Sequence, residues 1–261
     1  MKTRVLSALI LAPLLLIIYF GGITLLVGCI LISMVSLREF YKGFNKVNIK
    51  PSYFIGYLGI LTLYAFSIFI NEPKYYMLWF FAVVLGSLIY LFKDAEMKLE
   101  DAMSTLTGII YIVYFLFHVV LIDKIPGYSQ FVWVVLIIAF GTDTMAYFSG
   151  YLFGKHKLCP SISPKKTVEG AIGGTLSSII FCGIFGYFFT DGLLVHCLVL
   201  GFIGSIFAQL GDLTASIFKR KMGIKDYGNL IPGHGGMLDR FDSVLFTAPV
   251  VYYYLNILIL K

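Results

Sequence analysis

The sequence predicts an all-α polytopic integral membrane protein, with about nine transmembrane helices and a cytoplasmic N-terminus. Three observations carry this expectation: the apolar bias of the chain, the recurrence of apolar runs near the length of a bilayer span, and the one-sided placement of lysine and arginine. The 261 residues are 59% hydrophobic and 13% charged, whereas a soluble domain carries about 25% charged residues. A mean hydropathy of +0.89 leaves too much apolar surface for one aqueous core, so lipid must solvate most of it.

A helix needs about 20 apolar residues to cross about 30 Å of hydrocarbon. Segments 4–20, 22–37, 53–70, 75–92, 105–122, 131–149, 170–189, 192–210 and 243–260 meet that requirement approximately. The first two are parted only by Gly21 and Gly22. The first follows Lys2 and Arg4 and lacks a small-x-small cleavage site, which reads as an uncleaved anchor. Alternating the loops from an inside N-terminus leaves only Lys74, Lys124 and Lys261 outside, among 20 lysines and arginines. Loop basicity of this kind orients membrane proteins.

The division along the chain is between residues 1–130, read as five scaffold and lipid-facing helices, and residues 131–261, which carry the chemistry with motif loops 150–169 and 211–242. Segment 38–50 mixes basic and aromatic residues and reads as a membrane-surface anchor. Cys29, Cys159, Cys182 and Cys197 form no CxxC pair, so there is neither a zinc signature nor a disulfide framework. His118 and His196 stand in apolar runs without neighbouring ligands and read as packed or locally hydrogen-bonded residues.

The costly polar residues mark the candidate site. Asp143 interrupts the sixth span within Phe140-Gly-Thr-Asp-Thr-Met-Ala-Tyr147. The loop from Lys155 to Gly170 holds four lysines, and Lys165, Lys166 and Thr167 immediately precede the seventh span. Cations beside the backbone N–H groups of a helix N-terminus suit a phosphate. If the eighth helix continues past Asp212, then Asp212, Ser216 and Lys219 share one face. Asp239 and Asp242 share a face where the last helix begins. Carboxylates at two helix ends suit Mg2+, which takes one or two carboxylates plus substrate phosphates. Between them, Pro232-Gly233-His234-Gly235-Gly236 lets backbone N–H groups approach an anion. The chain has no GxxxxGK[ST], GxSxG or HExxH motif and no GxGxxG after a strand, so serine hydrolysis and dinucleotide redox chemistry have no support.

The run Ser216-x-x-Lys-Arg-x-x-x-x-Lys-Asp-x-Gly-x-x-x-Pro-Gly-His-Gly-Gly-x-x-Asp-Arg-x-Asp242 resembles the signature of phosphatidate cytidylyltransferases, also called CDP-diglyceride synthases. Gly211-Asp-Leu213, Asp143-Thr-x-Ala-Tyr147 and Ser163-Pro-Lys-Lys-Thr-x-Glu-Gly170 are similar to further segments of that family. The resemblance covers about residues 140–243. It implies Mg2+-dependent conversion of CTP and phosphatidate into CDP-diacylglycerol and pyrophosphate, an inner-membrane enzyme facing the cytoplasm, and a homodimer. It also implies Asp212 and Asp239 as metal ligands.

Beside those two, Asp242 and Asp143 read as supporting ligands or orienters, with a second cation allowed for. Lys219, Arg220, Lys225 and Arg240 read as binders of the triphosphate and the lipid phosphate. Lys165, Lys166, Thr167, Ser216, Gly233, His234, Gly235 and Gly236 complete the expected substrate contacts. Nothing in the sequence suggests a nucleic-acid partner. Two other readings stay open: a related CTP-using membrane enzyme, either a CDP-archaeol synthase or a polyprenol kinase, and a secondary transporter with an ion site at Asp143.

Overall fold

In a computed structural model, the structure describes residues 15–70, 72–94, 96–230 and 235–260. Apolar sequence dominates each long helix, because in lipid a helix satisfies every backbone hydrogen bond internally. In chain order the helices are α1 (Gly22–Asn45), α2 (Tyr53–Phe69) and α3 (Pro73–Ile89), the last extended by a 3-10 turn at Tyr90–Lys93. Helix α4 runs from Leu99 to Asp123 and contains a π-turn at Ile109–Tyr114. Helix α5 (Phe131–Phe153) leads into strands β1 (Lys157–Cys159) and β2 (Ser163–Thr167). Helices α6 (Val168–Phe189), α7 (Leu194–Lys221) and α8 (Leu238–Tyr254) complete the fold, α8 ending in a π-turn at Leu255–Ile259.

The polytopic, mostly helical membrane architecture agrees with the sequence. Among the described residues, seven helices are long and apolar enough to span a bilayer, and Tyr53–Phe69 is a shorter apolar helix of 17 residues. At 1.5 Å per residue it reaches about 26 Å, at the short limit of a crossing. The expected span 4–20 falls largely outside the described residues. Its last part, residues 15–20, is helical, and the chain breaks at Gly21 and Gly22, whose φ angles are 58° and 51°. Glycine adopts that region without the Cβ penalty of other residues. Many large apolar side chains point outward, Phe69, Phe92 and Tyr187 among them. Exposed apolar surface on this scale fits a lipid solvent.

Two helices are longer than their apolar runs. α1 continues past residue 37 to Asn45, and α7 continues past residue 210 to Lys221. Segment 38–50 therefore departs from the anchor expectation in part. Arg38, Lys42, Lys46 and Lys50 are exposed, but Glu39, Phe40 and Tyr41 are buried on the inner face of α1. The loop ahead of α6 is an antiparallel two-stranded hairpin, with Lys157 opposite Thr167 and Cys159 opposite Ser163. This is a small departure from an all-α fold.

The described residues group into two compact units. One comprises the residues up to Phe117 together with Lys221–Arg240. Its core is built from Leu37, Phe40, Tyr41, Ile60, Leu63 and Ile109. Several buried polar groups there are paired: Tyr41 Oη donates to Thr105 O at 2.7 Å. Asp101 Oδ2 accepts the Lys98 N–H at the start of α4, and its Oδ1 accepts the Lys50 N–H.

The other unit comprises His118–Arg220 and Phe241–Lys261. Small residues let its helices meet backbone to backbone. A Cβ on Gly170 would lie 2.7 Å from Ala146 O, and one on Gly174 2.8 Å from Thr142 O, so α6 packs directly on α5. A Cβ on Gly201 would lie 2.8 Å from Ser178 O, which fixes the crossing of α7 over α6. Small residues at such contacts are the usual device for packing helices in lipid. His118 is buried against the rings of Tyr252 and Tyr253, and His196 Nδ1 lies 3.0 Å from Tyr254 Oη, the packed roles expected of them. The four cysteines are free.

Candidate active site

In the second unit, α5, the hairpin, α6 and α7 enclose a cavity of about 560 Å³. Its lining includes Asp143, Lys165, Lys166, Thr167 and Asp212, five of the residues expected from sequence, drawn from three separate segments. Each segment presents its residue for a local reason. Asp143 lies within α5, where Ser243 Oγ donates to its Oδ2 at 2.7 Å. Lys165 and Lys166 are carried by β2, whose pairing with β1 fixes their height above the helices. Thr167 is the N-cap of α6, its hydroxyl accepting the Gly170 N–H at 3.1 Å. A threonine in that position satisfies one of the orphan donors at a helix start.

Asp212 reaches the cavity because α7 remains helical beyond its apolar part. It is paired: Lys166 Nζ lies 2.5 Å from Asp212 Oδ2. A lysine expected to wait for a phosphate therefore already neutralises a carboxylate expected to hold a metal. Asp242, in the first turns of α8, is buried. It feels the charges of Asp212, Asp143 and Lys219. Its Oδ1 accepts the N–H of Ser243 at 2.8 Å. Close approach of α7 to α8 depends on Gly211, where a Cβ would lie 2.6 Å from Asp242 O.

Three carboxylates thus influence one another, with Lys166 and Lys219 as nearby cations. Among the described residues no group of three or more His, Cys, Asp or Glu side chains is gathered as a ready-made metal cage. The donor set still fits Mg2+, which keeps several waters and uses one or two carboxylates with substrate phosphates.

The remaining expected residues are placed as follows. Ser216 is buried on α7, one turn beyond Asp212. Arg220 Nε donates to Ile162 O at 3.3 Å, tying the end of α7 to the hairpin. In the first unit, Lys225 is exposed on the loop that follows α7. Asp239 Oδ2 accepts the N–H groups of Tyr227 at 2.8 Å and Gly236 at 3.0 Å. Gly235, at φ 83°, makes the turn that brings the chain back over Asp239. Arg240 has a buried Nε that makes no hydrogen bond among the described residues, a donor suited to an anion. Gly233 and His234 lie outside the described residues.

Sequence reasoning missed four contributors. Glu39 accepts backbone N–H groups of Met237 and Leu238. Gln209 lines the cavity and donates from Nε2 to Thr175 Oγ1 at 3.1 Å. Ser243 orients Asp143. Glu169 accepts the Lys155 N–H at 3.1 Å and lies 2.6 Å from His156 Nδ1, which closes the base of the hairpin. Gln209 carried a signal, as a lone amide in an apolar run. Glu39 did not stand out among the basic residues around it.

Acidic and basic groups converging on one cavity, in a protein built from bilayer-length helices, define a polytopic membrane protein equipped for charged phosphate ligands. The chain belongs to the cytidylyltransferase family, whose model matches residues 2–258. It is similar to phosphatidate cytidylyltransferases of Staphylococcus haemolyticus (36% identity over 274 residues), Staphylococcus aureus (35% over 273) and Staphylococcus epidermidis (34% over 273). Each comparison covers 100% of this chain and 100% of the relative.

Proposed function

We propose that the protein is a phosphatidate cytidylyltransferase: it joins CTP to phosphatidate, giving CDP-diacylglycerol and pyrophosphate in phospholipid synthesis. The observation that carries this reading is the single cavity in which Asp143 and Asp212 face Lys165 and Lys166. Membership of the cytidylyltransferase family supports the same reaction.

The attacking group is the phosphate monoester of the lipid, whose second pKa is about 6. It is mostly dianionic at neutral pH, so the protein need supply neither a base nor a covalent nucleophile. What it must supply is position and charge neutralisation around the α-phosphate of CTP. A bound Mg2+ would supply positive charge to offset that of two anionic substrates. Asp212 and Asp239 are the carboxylates proposed to hold it, with Asp242 and Asp143 as supporting ligands or orienters. Asp143, held by Ser243, orients the set. A second cation would draw on the same carboxylates. Lys165, Lys166, Lys219, Arg220, Lys225 and Arg240 bind the triphosphate and the lipid phosphate. Thr167, Ser216 and the glycine loop at Gly233, His234, Gly235 and Gly236 shape the nucleotide contacts.

The lipid enters sideways between helices. An apolar groove of about 570 Å³ between α6 and α7 shares Leu158, Ala171 and Gln209 with the charged cavity, which supports that route. The N-terminus and the catalytic cavity face the cytoplasm of a bacterial inner membrane, as the one-sided lysines and arginines suggest. A homodimer belongs to the same reading.

Purified protein supplied with phosphatidate, labelled CTP and Mg2+ tests it. Pyrophosphate and liponucleotide should appear together in equal amounts. Release of CDP with phosphorylation of an alcohol acceptor would replace this reading with that of a polyprenol kinase.

A further inference from the structure

Glu39 belongs to α1, far in sequence from the charged motifs, yet it is buried and points into the loop that opens α8. Its Oε1 accepts the Met237 N–H at 3.1 Å, and its Oε2 accepts the Leu238 N–H at 2.9 Å. Those are donors at the start of a helix, which has no partners for them within itself. The next donor back, the Gly236 N–H, goes to Asp239 Oδ2. Three successive N–H groups at the entrance of α8 are therefore taken by two carboxylates, Glu39 and Asp239. The two side chains also repel each other, and Lys42 is the cation that offsets Glu39.

The chain is shaped around the Glu39 carboxylate. A Cβ on Gly236 would lie 2.5 Å from its Oε2, and a Cβ on Gly228 would collide with its Oε1. Two segments of the loop thus press their backbones onto one side chain. Burial of a carboxylate against another carboxylate is costly unless its hydrogen bonds are fixed. Glu39 meets that condition by holding the residues that set where α8 begins.

We infer that Glu39 is a positioning residue for cytidylyl transfer: by clamping Met237 and Leu238 it fixes the start of α8, and with it the aim of Asp239. This rests on the reaction proposed above. It assigns to α1 a part in catalysis beyond scaffolding.

The test compares wild-type protein with Glu39→Ala and Glu39→Gln, purified as full chains and normalised to monodisperse folded protein. For each, kcat, KM for CTP, KM for phosphatidate and the Mg2+ midpoint are measured. Hydrogen exchange at the Met237 and Leu238 amides is followed alongside. Glu39→Ala should lower kcat by about 10- to 100-fold, the range typical for groups that orient metal ligands. Both KM values should stay within about threefold, the Mg2+ midpoint should rise, and the two amides should lose protection. Glu39→Gln keeps one carbonyl acceptor and should fall between.

A kcat within about twofold of wild type in either variant overturns the inference. So does a loss of activity with an unmoved Mg2+ midpoint, which a merely structural role would give. If Glu39→Ala is not recovered folded, Glu39→Gln decides by the same criteria. Wild-type protein without CTP-dependent turnover would refute the proposed reaction instead, and unchanged protection at Met237 and Leu238 would then still refute the clamp.

Discussion

Lys166 and Asp212 form an ion pair, 2.5 Å between Nζ and Oδ2, that links strand β2 to helix α7 inside the charged cavity. Both side chains are about a quarter exposed. A cation that binds Asp212 must compete with the lysine, and the lysine so released is placed to meet an incoming phosphate. Replacing Lys166 by alanine should therefore have two opposed effects. The Mg2+ midpoint should fall, because the competitor is gone, while kcat/KM for CTP drops by about 10- to 100-fold through loss of a charge-assisted contact. Mg2+ titrations at saturating and limiting CTP separate the two.

Asp212→Asn removes the charge that both partners use. Turnover should fall on the order of 10²- to 10³-fold, comparable to removing one principal electrostatic contact in other enzymes. Steady-state assay of liponucleotide formation in detergent measures it. The asparagine should leave membrane insertion and yield unchanged.

Asp239→Asn is expected to behave differently at the level of the loop. The side-chain oxygen that accepts from Tyr227 and Gly236 is retained by an amide carbonyl. Protein yield and thermal stability should therefore persist while nearly all Mg2+-dependent CTP turnover is lost. Retained activity would remove Asp239 from any metal role and leave it as an organiser of the loop.

Gly211→Val tests the crossing of α7 and α8. Its Cβ would meet Asp242 O at 2.6 Å and the side chain of Phe246 at 3.3 Å. Overpacking of this kind costs about 1–3 kcal/mol. A lower melting temperature in detergent and reduced activity should appear together.

Ser243→Ala withdraws the hydroxyl that donates to Asp143 at 2.7 Å. A single hydrogen bond to a charged group is worth about 1.5–3 kcal/mol. We expect a loss in kcat of about tenfold with a small change in stability, measured by parallel kinetics and thermal melts.

Much of this arrangement was legible in the sequence, for physical reasons that differ between residues. Asp143, Lys165, Lys166 and Asp212 announced themselves because polar groups next to apolar runs are expensive and need a purpose. The continuation of α7 to Lys221 was conditional, since residues 211–221 are as polar as a loop and only helical phase joins Asp212 to Ser216 and Lys219. The hairpin at 157–167 was not legible, because three- and five-residue strands leave almost no alternation to read. Glu39 was hidden by its neighbours. Flanked by Arg38 and Lys42, it looked like part of an interfacial charge run, and only the folded chain turns it inward while the basic residues stay outside. The length of α1 was underestimated for the same reason.

The π-turn at Ile109–Tyr114 sets the phase of everything that follows it in α4. Ahead of it the buried positions are Asp101, Ala102, Ser104, Thr105 and Gly108, and after it they are Leu116, Phe117, His118, Val119, Val120 and Ile122. Each residue turns an α-helix by about 100°, and a wide turn is an inserted residue absorbed without breaking the rod. Deleting one residue there would leave the span hydrophobic and helical, yet swing Phe117 and Ile122 from the protein interior toward the lipid. The segment would still insert as a membrane helix, but with the wrong side facing its neighbours.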